Sequence, residues 1–367
     1  MLDSKGDCNM EQEAIAKAFY MTLCSNEEIE RIFNVSSASD YLLKVRADAA
    51  TEHTRIYRVF RRRMLNAGDG WCFSDYFNTR PFENYIKCLV DEDFTEAKSL
   101  AAGFVFCDKP NGLIEKTRFG NVIAISESLR YFLYFMNLAI LDHGDVDVHQ
   151  DVRSAAMKIA IRTMLQREAL DFDLDPRGEI PAEVHNSVQH HTDRQLEFVI
   201  GHEFSHHFLG HLNDSKLIDG AYLSAQELSG KTHKFFSYSQ KNELDADLDA
   251  IERPIYTPDM KADMVNSALF FFVYLHIYRG VKDQIMPSMG GPSTHPDPID
   301  RFHHIYNHFK DSIELDENNL KDLLKLSDIY KESLTADVAL NFESYETYGS
   351  IYLAQWHRKV LIDRVDF

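Results

Sequence analysis

His202-Glu203-Phe204-Ser205-His206 is the stretch of this chain best suited to chemistry. On an α-helix, residues four apart stack on one face, so both imidazoles can reach one metal ion, and Glu203 flanks the same point. Imidazole nitrogens at roughly 2.0–2.1 Å, three protein ligands and one open position are what a catalytic zinc requires. Such an ion would polarise a carbonyl and lower the pKa of a coordinated water from 15.7 to about 7. Glu203 would take the water's proton and pass it to a leaving amine. A third ligand must come from elsewhere, and Glu243-Leu244-Asp245-Ala246-Asp247 offers one. Glu243 and Asp247 again share a helix face: Glu243 can complete the set with His202 and His206, while Asp247 accepts the distal N–H of a ligand histidine. The small Ala246 would let two helices approach closely. Asp245 and Asp249 fall elsewhere on the wheel and read as solvated.

Other polar clusters are weaker candidates. His207 lies about 100° around the helix from His206, and both His207 and His211 read as poor ligands. A metzincin site would need a glycine where Leu209 stands and a histidine where Leu212 stands, which rejects that class. Asp171, Asp173 and Asp175 open like a calcium loop, but Pro176 stands where the turn needs glycine and Ala182 where it needs a bidentate glutamate. That segment reads as a solvated loop, as does the alternation of His143, Asp145, Asp147 and His149. His190 and His191 read as cap-region residues of the helix that follows. Arg55, Arg58, Arg61, Arg62 and Arg63 are the one basic cluster, a solvated helix face that could also dock an acidic partner or RNA.

The elements that must position these residues are mostly helices. Thr192-Asp193-Arg194-Gln195 has capping-box spacing for a helix reaching about Leu212, whose Leu196, Phe198, Val199, Ile200 and Phe204 mark it as a core helix. A surface loop from Asn213 to Thr232 leads to a second helix, about Ser239 to Glu252, stopped by Pro254. A very apolar helix follows, about Lys261 to Tyr278. Upstream, Ser25-Asn26-Glu27-Glu28 is a capping box, and Ser39 to Leu65 has helical spacing. Lys109-Pro110-Asn111-Gly112 signals a turn. Asn121 to Ile125 reads as a strand running into an amphipathic helix from Ser126, and Val152 to Leu170 as another helix. The tail from Asp311 is again helical. The pattern predicts a helix-rich α+β fold with a small antiparallel sheet: a helical accessory region over 1–115, a catalytic domain over 116–310 and a helical cap over 311–367.

Composition bounds the partners. Among 367 residues, 39 Lys+Arg against 58 Asp+Glu give a net charge of −19, a surface that repels nucleic acid and anionic lipid. Five cysteines without a Cys-x-x-Cys pair argue against a disulfide scaffold. The polar first residues lack a signal-peptide core. The longest apolar stretch, Ala268 to Leu275, is too short to span a bilayer and reads as a buried helix. A cytoplasmic protein with no membrane association is expected.

HExxH, then E-x-x-A-D, then an apolar helix, then Ser293-Thr294-His295-Pro296-Asp297-Pro298-Ile299-Asp300-Arg301-Phe302 together resemble the HtpX-type gluzincin metallopeptidases, whose third motif has the form T-H-P-x-x-x-x-R. Within that clan the chain is most similar to the soluble Lit-type phage-exclusion peptidases, which share the motif order and a strand-then-aromatic-helix element matched by Val122 to Met136. The resemblance spans roughly Asn121 to Tyr306. It departs from membrane-bound HtpX proteins in lacking their transmembrane helices, and it leaves the N-terminal helical region unmatched. It implies a gluzincin core with one zinc ion on His202, His206 and Glu243, Glu203 as general base and Asp247 as the orienting carboxylate. It further implies that His295 donates to the oxyanion and that Arg301 pins its loop or pairs with a carboxylate. Val122, Ile123, Ala124 and Ile125 become the sheet edge that takes substrate as an added strand. The activity so implied is zinc-dependent endopeptidase cleavage of a cytoplasmic protein, in the setting of phage exclusion. One rival reading is a non-catalytic regulatory or interaction protein stabilised by zinc with a closed coordination shell. Another is a nucleic-acid-associated factor using Arg55 to Arg63, which salt-sensitive binding would reveal.

Overall fold

Local capping sets the N-terminal helices. A computed structural model of the chain describes residues 15, 17–106, 112–144, 146–214, 216–220, 233–237, 240–286 and 296–356. At α1 (Asn26–Phe33) the capping box closes both ways, Ser25 accepting from the Glu28 N–H and Glu28 from the Ser25 N–H. The stretch read as helical from Ser39 is two helices, α2 (Ala38–Glu52) and α3 (Thr54–Ala67), separated at His53, whose backbone is extended. Then come α4 (Arg80–Lys87) and α5 (Asp91–Ser99).

The sheet is mixed, not antiparallel as expected. β1 (Ala101–Val105) runs parallel to β3 (Gly120–Ser126), while β2 (Gly112–Thr117) runs antiparallel to it, in the order β1-β3-β2. Arg118 and Phe119 close the β2–β3 hairpin, and Gly120 takes φ 120°, open to glycine at little cost. This topology corrects the expectation for Val122, Ile123, Ala124 and Ile125. They lie in the central strand, paired with Ala101–Phe104 on one side and Gly112–Glu115 on the other, so their backbone offers no edge to a peptide. All four are buried, as an apolar run without alternation demands.

Ser126 caps α6 (Glu127–Ile140), accepting from the Ser128 N–H, and α6 packs on α7 (Gln150–Met164). The long helix α8 (Ala182–Phe208) spans 27 residues, about 40 Å. It starts ten residues before the expected Thr192, whose hydroxyl bonds back to Val188 O at 2.7 Å inside the helix rather than capping it. His190 and His191 are therefore helix-interior residues. A short helix α9 (His211–Asp214) leads to β4 (Lys216–Gly220), paired antiparallel with β5 (His233–Ser237). The expected loop thus contains a strand, while 221–232 lie outside the described residues. β5 approaches β2 but is hydrogen-bonded to β4. The remaining elements are α10 (Gln240–Glu252), α11 (Pro258–Ile285), α12 (Pro298–Phe309), α13 (Glu317–Leu340) and the single turn α14 (Glu343–Glu346).

α11 is longer than predicted because Thr257 caps it with Pro258 in the first turn. Among the described residues it is the one helix long and apolar enough to cross a membrane, and 61% of its apolar window is buried inside the fold. Phe272, Tyr274 and Ile277 pack into the core beside α8, α12 and α13.

The largest departure from expectation is the segment from Arg167 to Arg177. Asp171 and Asp175 are buried, not solvated. Arg177, 0% exposed, sits among them: its Nε donates to Glu168 at 2.9 Å and its Nη2 to Asp171 at 2.8 Å, and its Nη1 lies 3.2 Å from Asp175. Arg162 donates to Glu168 from α7, and Arg55 to Asp171 from α3, so Arg55 leaves the solvated face assigned to it. Arg63 pairs with Asp173. The C-terminal segment docks on the same group, with Ile351 N–H donating to Glu168 and the Tyr352 hydroxyl to Asp175. His143 is not solvated either but buried against Leu138 O, and His149 caps α7, while Asp145 lies outside the described residues. Removing one partner of a buried ion group strands the others without water. Arg177→Ala is therefore expected to cost about 3–5 kcal/mol in urea unfolding, and a loss below about 1 kcal/mol would contradict this role for the group.

Candidate metal centre

The site is assembled where α8, α10 and α12 meet. α8 presents His202 and His206 one turn apart, with ring centroids 4.6 Å apart and planes at 88°. α10 brings Glu243 and Asp247, both fully buried, and the buried Ala246 between them permits close approach to α8. His202 Nε2 and His206 Nε2 lie 3.1 Å apart. Glu243 Oε2 is 3.6 Å from the first and its Oε1 3.5 Å from the second. One ligand atom from each of the three residues falls within 4.8 Å of the others. A tetrahedral ion bound at about 2.0–2.1 Å has ligand–ligand edges of about 3.3–3.4 Å, so the donors present fit a small divalent cation.

Further partners fix the ligands from behind. His202 Nδ1 lies 2.9 Å from Asp247 Oδ1, so the Nδ1 proton points at Asp247 and the Nε2 lone pair turns inward. Arg301 on α12 holds Asp247 with two bonds, Nε to Oδ2 at 2.7 Å and Nη2 to Oδ1 at 2.5 Å, and its Nη1 sits 3.4 Å from Glu243 Oε2. The Arg301 guanidinium lies 4.6 Å from the centre of the Phe272 ring. His206 Nδ1 meets His211 Nδ1 at 2.9 Å.

The charges follow this geometry. Burial acts to lower the His202 pKa, but the bonds to Asp247 and Glu243 outweigh it and raise it to about 10. Burial pushes His206 down to about 2, with the charge on His202 acting in the same direction. Protonated, His202 donates Nε2–H to His206 Nε2; deprotonated, both lone pairs face one point together with Glu243. Burial opposes the charge on Asp247, yet Arg301 holds its pKa below the usual carboxylate range.

Glu203 is buried on the same helix, and its Oε1 lies 2.9 Å from where a Cβ on Gly112 would stand. The outer strand β2 therefore passes directly over this carboxylate. His207 faces away, bonding Asn121 at 3.0 Å and Glu96 at 2.8 Å. His295 lies outside the described residues, while Asp297 caps α12 by accepting from the Ile299 N–H. Sequence reasoning set aside His211, which packs behind a ligand candidate, and passed over β2. The signal for His211 was Gly210, which takes φ 70° after the last turn of α8 and folds the next residue back.

Compared with family models, curated proteins and solved structures, the chain matches none. The case for the site therefore stands on donor chemistry and geometry.

Gly201 precedes His202, and a Cβ there would sit 2.5 Å from Cε2 of the buried Tyr85 ring, which stacks on Phe204. Alanine for glycine in a helix gains about 1 kcal/mol, but overpacking a rigid ring costs about 1–3 kcal/mol, and so close a contact belongs at the upper end. Gly201→Ala is expected to lower stability in denaturant titrations and to weaken metal binding by displacing His202. A variant as stable and as tight-binding as wild type would contradict this packing.

Proposed function

We propose that this chain is a zinc-dependent endopeptidase of the HtpX-type gluzincin kind, resembling most the soluble Lit-type peptidases. The observation that carries the reading is the convergence of His202, His206 and Glu243 from two helices, with Glu203 one residue along from a ligand. The arrangement behind the ligands supports it: Arg301 and Asp247 form a two-bond pair behind His202, while the Glu243 carboxylate lies 3.5–3.6 Å from the two imidazole nitrogens.

When bound, zinc supplies Lewis acidity, polarising the scissile carbonyl and acidifying a water. His202, His206 and Glu243 would hold it. Glu203 accepts the proton of the attacking water and returns it to the leaving amine nitrogen, so that the peptide bond breaks into a carboxylate and an amine. Asp247 and Arg301 keep His202 from rotating. His295 remains a proposed oxyanion donor on the motif resemblance. Substrate would lie as an extended strand along β2 in place of the expected Val122–Ile125, because β2 is an outer strand and Gly112 brings its backbone next to Glu203. The proposed target is a protein of the host cell, cut during phage infection.

Comparing proteins cut by wild type and by zinc-loaded Glu203→Gln, with and without phage, tests this. Removal of the base is expected to slow cleavage by about 10²–10⁴-fold. Equal cleavage by the two proteins would rule out Glu203 as base. A wild type that binds zinc and cuts nothing would favour the non-catalytic, zinc-stabilised reading.

A further inference from the structure

The two histidines of the proposed metal site are supported unequally. His202 has a charged carboxylate, Asp247, behind its Nδ1, whereas His206 has a neutral imidazole. Two Nδ1 atoms 2.9 Å apart cannot both carry hydrogen and cannot both be bare, so one donates to the other. His206 is 1% exposed, which removes bulk water as a substitute partner. If Nε2 of a neutral His206 is to bind a cation, its single proton must sit on Nδ1. The bond then runs from His206 Nδ1–H to the His211 Nδ1 lone pair, and His211 carries its own proton on Nε2.

We propose that His211 is a positioning residue for the metal site, accepting from His206 Nδ1–H and thereby holding the His206 tautomer and ring plane that aim Nε2 at the ion. This rests on the metal-site reading above. His211 reaches its place because α8 ends at Phe208 and Gly210, at φ 70°, reverses the chain before α9 begins. A longer straight helix would carry residue 211 away, since five residues advance the helix wheel by about 500°, or about 140° off the His206 face.

The test is zinc affinity, measured by competition with a chromogenic chelator, for wild type, His211→Asn, His211→Leu and Glu243→Ala. Asparagine can present its side-chain oxygen where Nδ1 stood, and leucine presents no acceptor. Leucine is expected to weaken binding by about 10–100-fold, with asparagine recovering most of the loss. Leucine binding as tightly as wild type overturns the proposal, as does asparagine failing alongside leucine while both variants remain folded. Should leucine fail to fold, long-range ¹H–¹⁵N correlations of the zinc-loaded wild type decide: His206 protonated on Nδ1 supports the proposal, and protonation on Nε2 overturns it. Wild type and Glu243→Ala with equally negligible affinity would instead bring down the metal-site reading, and this proposal with it.

Discussion

His202, His206 and Glu243 turn three candidate ligand atoms, stripped of water, toward one point, and the surrounding residues hold them there. Arg301 is the central restraint. It clamps Asp247 with two bonds, approaches Glu243 and packs on Phe272. Without it, two fully buried carboxylates on α10 would face each other across a single turn with no guanidinium between them, an arrangement that a dry interior penalises heavily. α12 is thus tied to α10 by charge, and α10 to α8 by ligand geometry, while α11 supplies the apolar wall behind them.

A second charged centre shows by contrast what is particular about the first. Around Arg177, buried acids meet buried guanidinium groups: Arg55, Arg162 and Arg177 face Glu168, Asp171 and Asp175. There the positive charge is covalent and permanent, and the group ties α3, α7 and the C-terminal segment together. At the His202–His206–Glu243 site the two strongest bonds of Arg301 go to Asp247, behind the candidate ligands rather than among them. That difference separates a structural lock from a group that could hold a metal ion.

Local geometry decided what could be read from the sequence. Residues four apart on a helix share a face whatever surrounds them, so the pairs His202–His206 and Glu243–Asp247 were legible, as was the capping box at Ser25. Long-range pairings were not. Asp171 looks solvated until Arg55, 116 residues away, is packed against it. Thr192 followed by Gln195 satisfies the capping pattern and an interior turn equally well, and it is Pro181, with a non-helical ψ of 140°, that marks where α8 begins. The unbroken Val-Ile-Ala-Ile run of Val122–Ile125 belongs to a strand covered on both faces, and it lies in the middle of the sheet. The third motif, with His295, falls outside the described residues, so its part in the site rests on the sequence alone.

Anomalous X-ray scattering from the zinc-loaded protein would locate the ion. One strong peak per chain is expected, about 2.0–2.1 Å from His202 Nε2, His206 Nε2 and a Glu243 oxygen, with Asp247 still on His202 Nδ1. A zinc ion bound elsewhere, or one coordinated by the histidines with the Glu243 carboxylate turned away, would contradict this site.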